Sequence, residues 1–535
     1  MAVMTRPEII SLSGGDRYWE QKYKNFNLKA FVPATDIDGE ALNYGFRAPL
    51  LLVFEEEPMC MEEAVKFARD TGLAKIASAA DSTVLFVYPT AEKGWEGADE
   101  SLYAELIAET KINAEYSDGI CKITDFFKQE FKGYFIRGAI FRADIYSFGK
   151  SADYCAKHLL KTLQGEYLWG PGEITPAMVS MERLSVTPVV ERKDIAVLSV
   201  GNDAAVNACF EGCKNLLIKD SADYCADFKN FVRKFKMWCG NIEIEPDFDA
   251  LDMKEEPGIL TVKTSADNRG RYKGTESHKA GYFAYYNKDL PGKGPMPLVV
   301  GFHGGGDSSM YLTFVAGWWE ICHRYDFLFV SVENHQDLPA EEAIQVVHEL
   351  KKRYNIDEKR IYATGFSMGA GKTWDMYQQY PTEFAGLMPC SALFPVKNNP
   401  FGKSLGDPGF NTTVSVPVFY SGGELSHLVE LPYQGESGVE RVQYVAGVNK
   451  LKAKENFDAV SFADKDKWEQ KYYGVKGDRV EEIPDESRGS ILTVNYYDSE
   501  DGVCRTAFAS VNNQIHECRH HSCENAWKFI SKFTR

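Results

Sequence analysis

Four short, nearly continuous apolar runs, at 297–302, 327–332, 360–364 and 416–420, constrain the second half of the chain more than any other feature. Longer stretches such as 340–354, with apolar residues at helical spacing, lie between them. A strand with no polar face must be covered on both sides, and helices supply the cover. The expected class is therefore α/β, a mostly parallel sheet flanked by helices. At 535 residues the chain is long enough for two domains, and 44% hydrophobic residues suffice for packed cores.

The first half repeats the order of parts. Residues 49–54 line up with 297–302, and 84–88 with 327–331. Residues 141–149 line up ungapped with 361–369, which puts Ser147 under Ser367. Residues 196–203 then fall under 417–424, so the serine-to-acid interval is 56 in one half and 57 in the other. Two tandem copies of one fold are expected, over 1–245 and 256–535, joined near 243–258 where acidic residues and prolines cluster. The repeat Ser-Ala-Asp-Tyr-Cys-Ala at 151–156 and 221–226 is read as a coincidence of helix starts.

Sixty Lys and Arg against 77 Asp and Glu give a formal charge of −17, which argues against nucleic-acid and anionic-membrane surfaces. No apolar run reaches the ~18–20 residues that span a bilayer. Residues 1–15 lack a basic start followed by an apolar run, so a cytoplasmic location is expected. The 12 cysteines are scattered without a C-x-x-C pair and read as free thiols. His516, Cys518, His520, His521 and Cys523 cluster, but no second ligand pair accompanies them. No metal and no cofactor are expected.

Gly365-Phe366-Ser367-Met368-Gly369 follows a strand-like run and precedes a helix-like one. A G-x-S-x-G in that setting is a nucleophile elbow, in which a strained turn exposes the serine Oγ. Upstream, directly after the first apolar strand, stands His303-Gly304-Gly305-Gly306-Asp307. Its glycines let amide N–H groups approach a substrate carbonyl, so Gly304 and Gly305 with Met368 form the expected oxyanion hole.

A serine nucleophile needs a histidine base held by a carboxylate. His516 lies between a strand-like pair (491–497 and 505–511) and the closing helix-like run, and is the expected base. His520 and His521 are its alternatives, whereas His427 sits too close to the expected acid loop. Glu424, after Ser421-Gly422-Gly423, is the expected acid, with Glu430 and Asp458 left open.

The first half fails the same test. It reads Glu55-Glu56-Glu57 where the second reads His303-Gly304-Gly305, and Ile145 stands two residues before Ser147. Its histidine, His158, falls in the helix-like run after the expected elbow, so that half is expected to be non-catalytic.

The 298–306 run, Ala316-Gly317-Trp318, the 360–369 run and Ala526-Trp527-Lys528-Phe529 resemble the poly(3-hydroxybutyrate) depolymerase and feruloyl-esterase-like branch of the α/β-hydrolases, over about 260–535. The resemblance implies two tandem α/β-hydrolase-like domains, the second a serine carboxylic ester hydrolase working through an acyl-enzyme. In that scheme Ser367 attacks, His516 moves the proton, Glu424 orients the imidazole, and Gly304 with Met368 binds the oxyanion. Two departures stand out: the acid loop lacks the usual aspartate, and the secretion signal of the depolymerases is missing. Trp318 and His303 are candidate substrate contacts, with Trp318 and Trp319 open to a core role. The charged, aromatic stretch 435–485, with Tyr444, Trp468, Tyr472 and Tyr473, is expected to be a helical cap. The expected partner is a small or oligomeric ester, with a homo-oligomer possible through the first domain. A serine peptidase and a non-catalytic binding protein are the competing functions. The first lacks the 40–50-residue repeat of a propeller in front of it. The second conflicts with nucleophile, oxyanion loop and base surviving together.

Overall fold

The computed structural model describes residues 5–535 apart from 36–41, 43–46, 112, 117–118, 123–135, 168–169, 239, 271, 306–307, 334, 336–337, 401 and 462–472. The chain forms two compact units, 1–246 and 247–535. The strand Met253–Lys263 takes in the last part of the stretch read as a joint, and the second unit begins ahead of residue 256.

The second unit is built on a ten-stranded sheet. Its spatial order is Met253–Lys263, Ser277–Asn287, Leu328–Val332, Met296–Phe302, Ile356–Phe366, Gly386–Cys390, Val418–Gly423, Cys504–Val511, Ser490–Asp498 and Arg479–Asp485. The six strands from Leu328–Val332 to Cys504–Val511 run parallel, and an antiparallel pair flanks them at each edge. Four of the parallel strands are buried at every residue, as their unbroken apolar runs require. Leu298, Val300 and Val330 pack with Val346 and Val347 of the helix Ala340–Arg353 and with Trp374 and Tyr377 of the helix Met368–Gln379. On the other face the helices Trp318–Tyr325 and His520–Ile530 bring Trp318 onto Phe329 and Trp527 onto Phe327.

The expected cap is corrected by this sheet. The helix Glu436–Val448 puts Val442, Val445 and Ala446 into the same core, and Arg479–Asp485 is the outermost strand. Tyr473 is buried and donates its hydroxyl to the Ala509 carbonyl at 2.5 Å, while Tyr444 donates to the Asn411 carbonyl at 2.7 Å. A helix with a buried apolar stripe belongs to a layer of the fold. Trp468 and Tyr472 lie outside the described residues.

The first unit carries a nine-stranded sheet. After Ile10–Ser11 its order is Arg17–Lys22, Phe26–Val32, Val84–Pro89, Pro49–Phe54, Ala139–Phe148, Met178–Glu182, Ala196–Val200 and Leu216–Lys219. Here too six successive strands are parallel, entered from an antiparallel pair. From Arg17–Lys22 onward the order and directions match the first eight strands of the other sheet.

The register corrects one expectation. Phe302 is opposite Gly365 in the second unit, and Phe54 is opposite Ser147 in the first. The strand-to-helix turn falls two residues later in each, at Ser367 (φ 54°, ψ −116°) and at Gly149 (φ 50°, ψ −117°). Ser147 therefore occupies the place of Gly365, and the place of Ser367 is taken by a glycine. The Ser147 hydroxyl is buried and donates to the Ser180 carbonyl at 2.6 Å.

Candidate active site

The strand Ile356–Phe366 ends at Ser367, which opens the helix Met368–Gln379. Its φ of 54° lies in the left-handed region, which L-residues occupy at a cost of about 1–3 kcal/mol. The Ser367 N–H bonds the Cys390 carbonyl at 3.0 Å, tying the turn to the neighbouring strand. Backbone passes so close here that side chains are excluded at two positions. A Cβ on Gly365 would lie 2.2 Å from the Gly369 oxygen, and one on Gly369 would lie 1.8 Å from the Phe302 oxygen. These two glycines press the helix start against the strand that carries the 303–305 segment.

That contact brings the glycine segment to the serine. A Cβ on Gly304 would be 3.6 Å from Ser367 Cβ, and one on Gly305 would be 2.6 Å from Met368 Sδ. Gly304 thus borders Ser367, and Gly305 borders the neighbouring Met368. Gly306 and Asp307 lie outside the described residues.

His516 follows the strand Cys504–Val511 and precedes the helix His520–Ile530. Its Nε2 is 2.8 Å from Ser367 Oγ, and its Nδ1 is 2.5 Å from Glu430 Oε1. His520 instead packs on Gly317 with Nε2 3.8 Å from Glu320. Burial lowers the affinity of half-buried His521 for its proton. His427 is exposed, its ring 5.5 Å from that of His516.

The carboxylate on His516 is Glu430, not Glu424. After Gly423 the chain makes an excursion through 424–429 and returns, and Gly422 lets Glu430 approach: a Cβ there would lie 2.7 Å from the Glu430 oxygen. Glu430 is fully buried and accepts the Gly423 N–H at 2.6 Å on Oε2, which leaves Oε1 for the imidazole. Its backbone is fixed as well, by Gln434 on its N–H at 2.8 Å and by the Tyr420 hydroxyl on its carbonyl at 2.8 Å. Glu424 stays half-exposed and is held through its backbone, its N–H bonding the Val511 carbonyl at 3.0 Å. The signal for Glu430 was its setting: an acid between Val429 and Leu431 is one the chain folds inward.

Trp318 and His303 are not placed to touch a substrate. Trp318 is 0% exposed and stacks on Phe329 with centroids 5.6 Å apart, while Trp319 meets Phe248 edge-on. His303 is buried, with Nδ1 donating to the Gly304 carbonyl at 2.8 Å. The rim of the site is apolar instead. Met368, Leu425, Leu428 and Ile515 are exposed, and the Leu425 N–H bonds the Gln514 carbonyl at 2.9 Å, joining that loop to the segment before His516.

In the first unit the same positions are filled. A Cβ on Gly149 would lie 1.9 Å from Glu56 Oε1, and Glu56 pairs with Arg183 at 2.7 Å. Glu55 is buried against Lys29 at 2.7 Å. Among the described residues, no group of three or more His, Cys, Asp or Glu is arranged to hold a metal ion. Nor is any described helix long and apolar enough to cross a membrane.

The second-unit arrangement can pass a proton from Ser367 to His516 while Glu430 holds the imidazolium that forms, which is the chemistry of acyl transfer. No known protein-family profile matches the chain. It is 28% identical over 138 residues to a bifunctional acetylxylan esterase/xylanase of Neocallimastix patriciarum, a match over 24% of this chain and 19% of that one. The match thus spans about a fifth of that relative's length. Solved structures similar to it include an acetyl xylan esterase from Aspergillus awamori, 13% identical over 51% of this chain and 98% of that one, TM-score 0.32. A feruloyl esterase module from Clostridium thermocellum complexed with sinapinate is 12% identical over 54% and 92%, TM-score 0.32.

Proposed function

We propose that this chain is a serine-dependent carboxylic ester hydrolase whose second unit works through an acyl-enzyme. The observation that carries the reading is the continuous relay from Ser367 Oγ through His516 to Glu430, at 2.8 and 2.5 Å, with the Gly304–Gly305 segment bordering the serine. His516 Nε2 takes the Ser367 proton as Oγ attacks the ester carbonyl, and returns it to the leaving alcohol. The amides of Gly304 and Met368 receive the oxyanion, each donor lowering the barrier by about 2.7–4 kcal/mol. Water then repeats the cycle on the acyl-enzyme and frees the acid.

The four exposed apolar side chains around the site support an ester with an apolar acyl or aryl group, since such a rim gains by losing water. The sequence motifs resemble the depolymerase and feruloyl-esterase-like branch, and the name of the 28% identical relative, acetylxylan esterase/xylanase, points to an ester carried on a xylan. The first unit is proposed to be a non-catalytic copy: it has the strand order of the second, with Gly149 where the nucleophile would stand.

Hydrolysis of p-nitrophenyl acetate and butyrate tests the reading directly. The full chain turns both over, and Ser367→Ala reduces the rate to background. A fluorophosphonate labels the parent and spares the variant. Equal activity in parent and variant excludes the serine mechanism.

A further inference from the structure

Beneath the glycine segment lies a buried polar cluster that the reaction scheme leaves unused. Glu333 follows the strand Leu328–Val332, is 0% exposed, and accepts the Ser309 N–H at 3.1 Å on Oε1. Its Oε2 faces His303 Nε2 at 3.7 Å. Two residues on, buried His335 reaches back with Nε2 2.6 Å from the His303 carbonyl, its ring 4.5 Å from that of His303. His303 Nδ1 donates in turn to the Gly304 carbonyl. Three buried side chains therefore grip both ends of the segment, one end at 303–304 and the other at 309.

Burying a carboxylate costs several kcal/mol unless its partners compensate, so a site of this kind is kept for what it holds in place. The first unit makes the comparison. The residue in the place of His303 is Glu55, and its carbonyl also takes a buried side-chain donor, Trp95 Nε1 at 2.5 Å. Holding that carbonyl is thus common to both units. In the first unit the buried Glu55 carboxylate also takes an amide of the following loop, that of Met59, whereas the carboxylate on the Ser309 amide comes from the end of a neighbouring strand and serves the second unit's glycine loop. That loop has to keep its N–H groups aimed at one point within a few tenths of an ångström.

We propose that Glu333 is the positioning residue of the oxyanion hole: it holds the Ser309 amide beyond the glycines and stands beside His303 before them, so that the Gly304 amide stays aimed at the oxygen of the tetrahedral intermediate. The proposal rests on the serine-esterase reading above. Glu333 touches no substrate, so its loss acts through the transition state and leaves ground-state binding alone.

Glu333→Gln keeps the shape and one acceptor but removes the charge facing His303, and Glu333→Ala removes both. With p-nitrophenyl butyrate, the expected kcat falls about 10-fold in Glu333→Gln and about 100-fold in Glu333→Ala, with KM within twofold of the parent. A trifluoromethyl ketone, whose adduct with Ser367 carries the oxyanion, loses affinity by the same factors. An unchanged kcat overturns the proposal, as does a loss of kcat without a matching loss of ketone affinity. If neither variant folds, Glu333→Asp, which keeps the charge but draws the carboxylate back from the Ser309 amide, makes the same test with the same expected pairing of kcat and ketone affinity. Ser367→Ala is run alongside. Background activity there with normal kcat in the Glu333 variants refutes the clamp alone, whereas full activity in Ser367→Ala refutes the esterase reading and the clamp with it.

Discussion

Replacing Glu430 with glutamine changes one atom and tests the identity of the acid. In the parent, Oε2 accepts the Gly423 N–H at 2.6 Å and Oε1 faces His516 Nδ1 at 2.5 Å. A glutamine at 430 has one acceptor and one donor for these two places. The Gly423 amide is fixed in a strand and can only donate, so the glutamine oxygen must stay there. Its NH2 then faces His516 Nδ1, which must become an acceptor, and the imidazole proton moves to Nε2. That nitrogen stands 2.8 Å from Ser367 Oγ and can no longer take its proton. A histidine locked in the wrong tautomer costs such a site about 10⁴ in kcat, roughly 5.5 kcal/mol of barrier. The fold is expected to survive, because both hydrogen bonds are kept. The assay is burst-phase kinetics with p-nitrophenyl acetate, which isolates acylation, together with a thermal melt. Glu424→Gln is the partner experiment and should stay within twofold of the parent. A dead Glu424→Gln beside an active Glu430→Gln would refute the tautomer argument and the geometry beneath it.

Four further outcomes are expected. Gly369→Ala places a Cβ 1.8 Å from the Phe302 oxygen, so it should destabilise the second unit by about 2–5 kcal/mol by melting and abolish esterase activity together. Ser147→Ala removes a buried hydrogen bond and should cost about 0.5–1.5 kcal/mol, with the rate of ester hydrolysis unchanged. Trp318→Ala should lower stability by about 3–5 kcal/mol in a denaturant titration and leave KM where it was, because the ring lies in the core. Burial, with the neighbouring His303 and Lys372, holds His335 well below the usual histidine range. Its folded form therefore stays neutral where the unfolded chain takes up a proton. Its contribution to stability is complete above about pH 6.5 and falls by about 1.4 kcal/mol for each unit of acidification below it, a slope that His335→Gln should flatten.

The apolar runs at 297–302 and 327–332 announced their strands because a strand buried on both faces has no polar side to disguise it. The elbow was equally legible, since the approach of Gly369 to Phe302 admits no side chain and the sequence has to record that. The acid was not. A count from the strand end reaches Glu424 first, and only the folded excursion through 424–429 brings Glu430 back beneath His516. Between a lid helix and a layer helix the pattern makes no distinction, because both are amphipathic; it was the packing of Val442 and Val445 that placed 436–448 in the fold. Trp318 did carry its own signal: with Ile321 and Cys322 it forms the stripe a helix buries. The register of the first half was misread because Gly149 was matched with Gly369. Matching the phenylalanines that close the two strands, Phe148 and Phe366, puts Gly149 on Ser367.

That register bears on why the strained serine exists. The two turns share one geometry, φ near 50° and ψ near −117°, although one holds a glycine and the other a serine. The bend therefore belongs to the passage from a central parallel strand into its helix, and it is made whether or not chemistry follows. A glycine makes it without strain, whereas Ser367 makes it at a cost of about 1–3 kcal/mol. A chain free of functional demand has no reason to keep the costlier residue in the one unit where an imidazole stands 2.8 Å from its oxygen. In the other unit the space is filled by the Glu56 carboxylate, which is paired with Arg183. Gly149→Ser alone should therefore install a hydroxyl without installing hydrolysis, because among the described residues neither a base nor an open oxyanion loop faces it. Measurable esterase activity from that variant in a Ser367→Ala background would show that the elbow by itself suffices, and would break the link drawn here between strain and function.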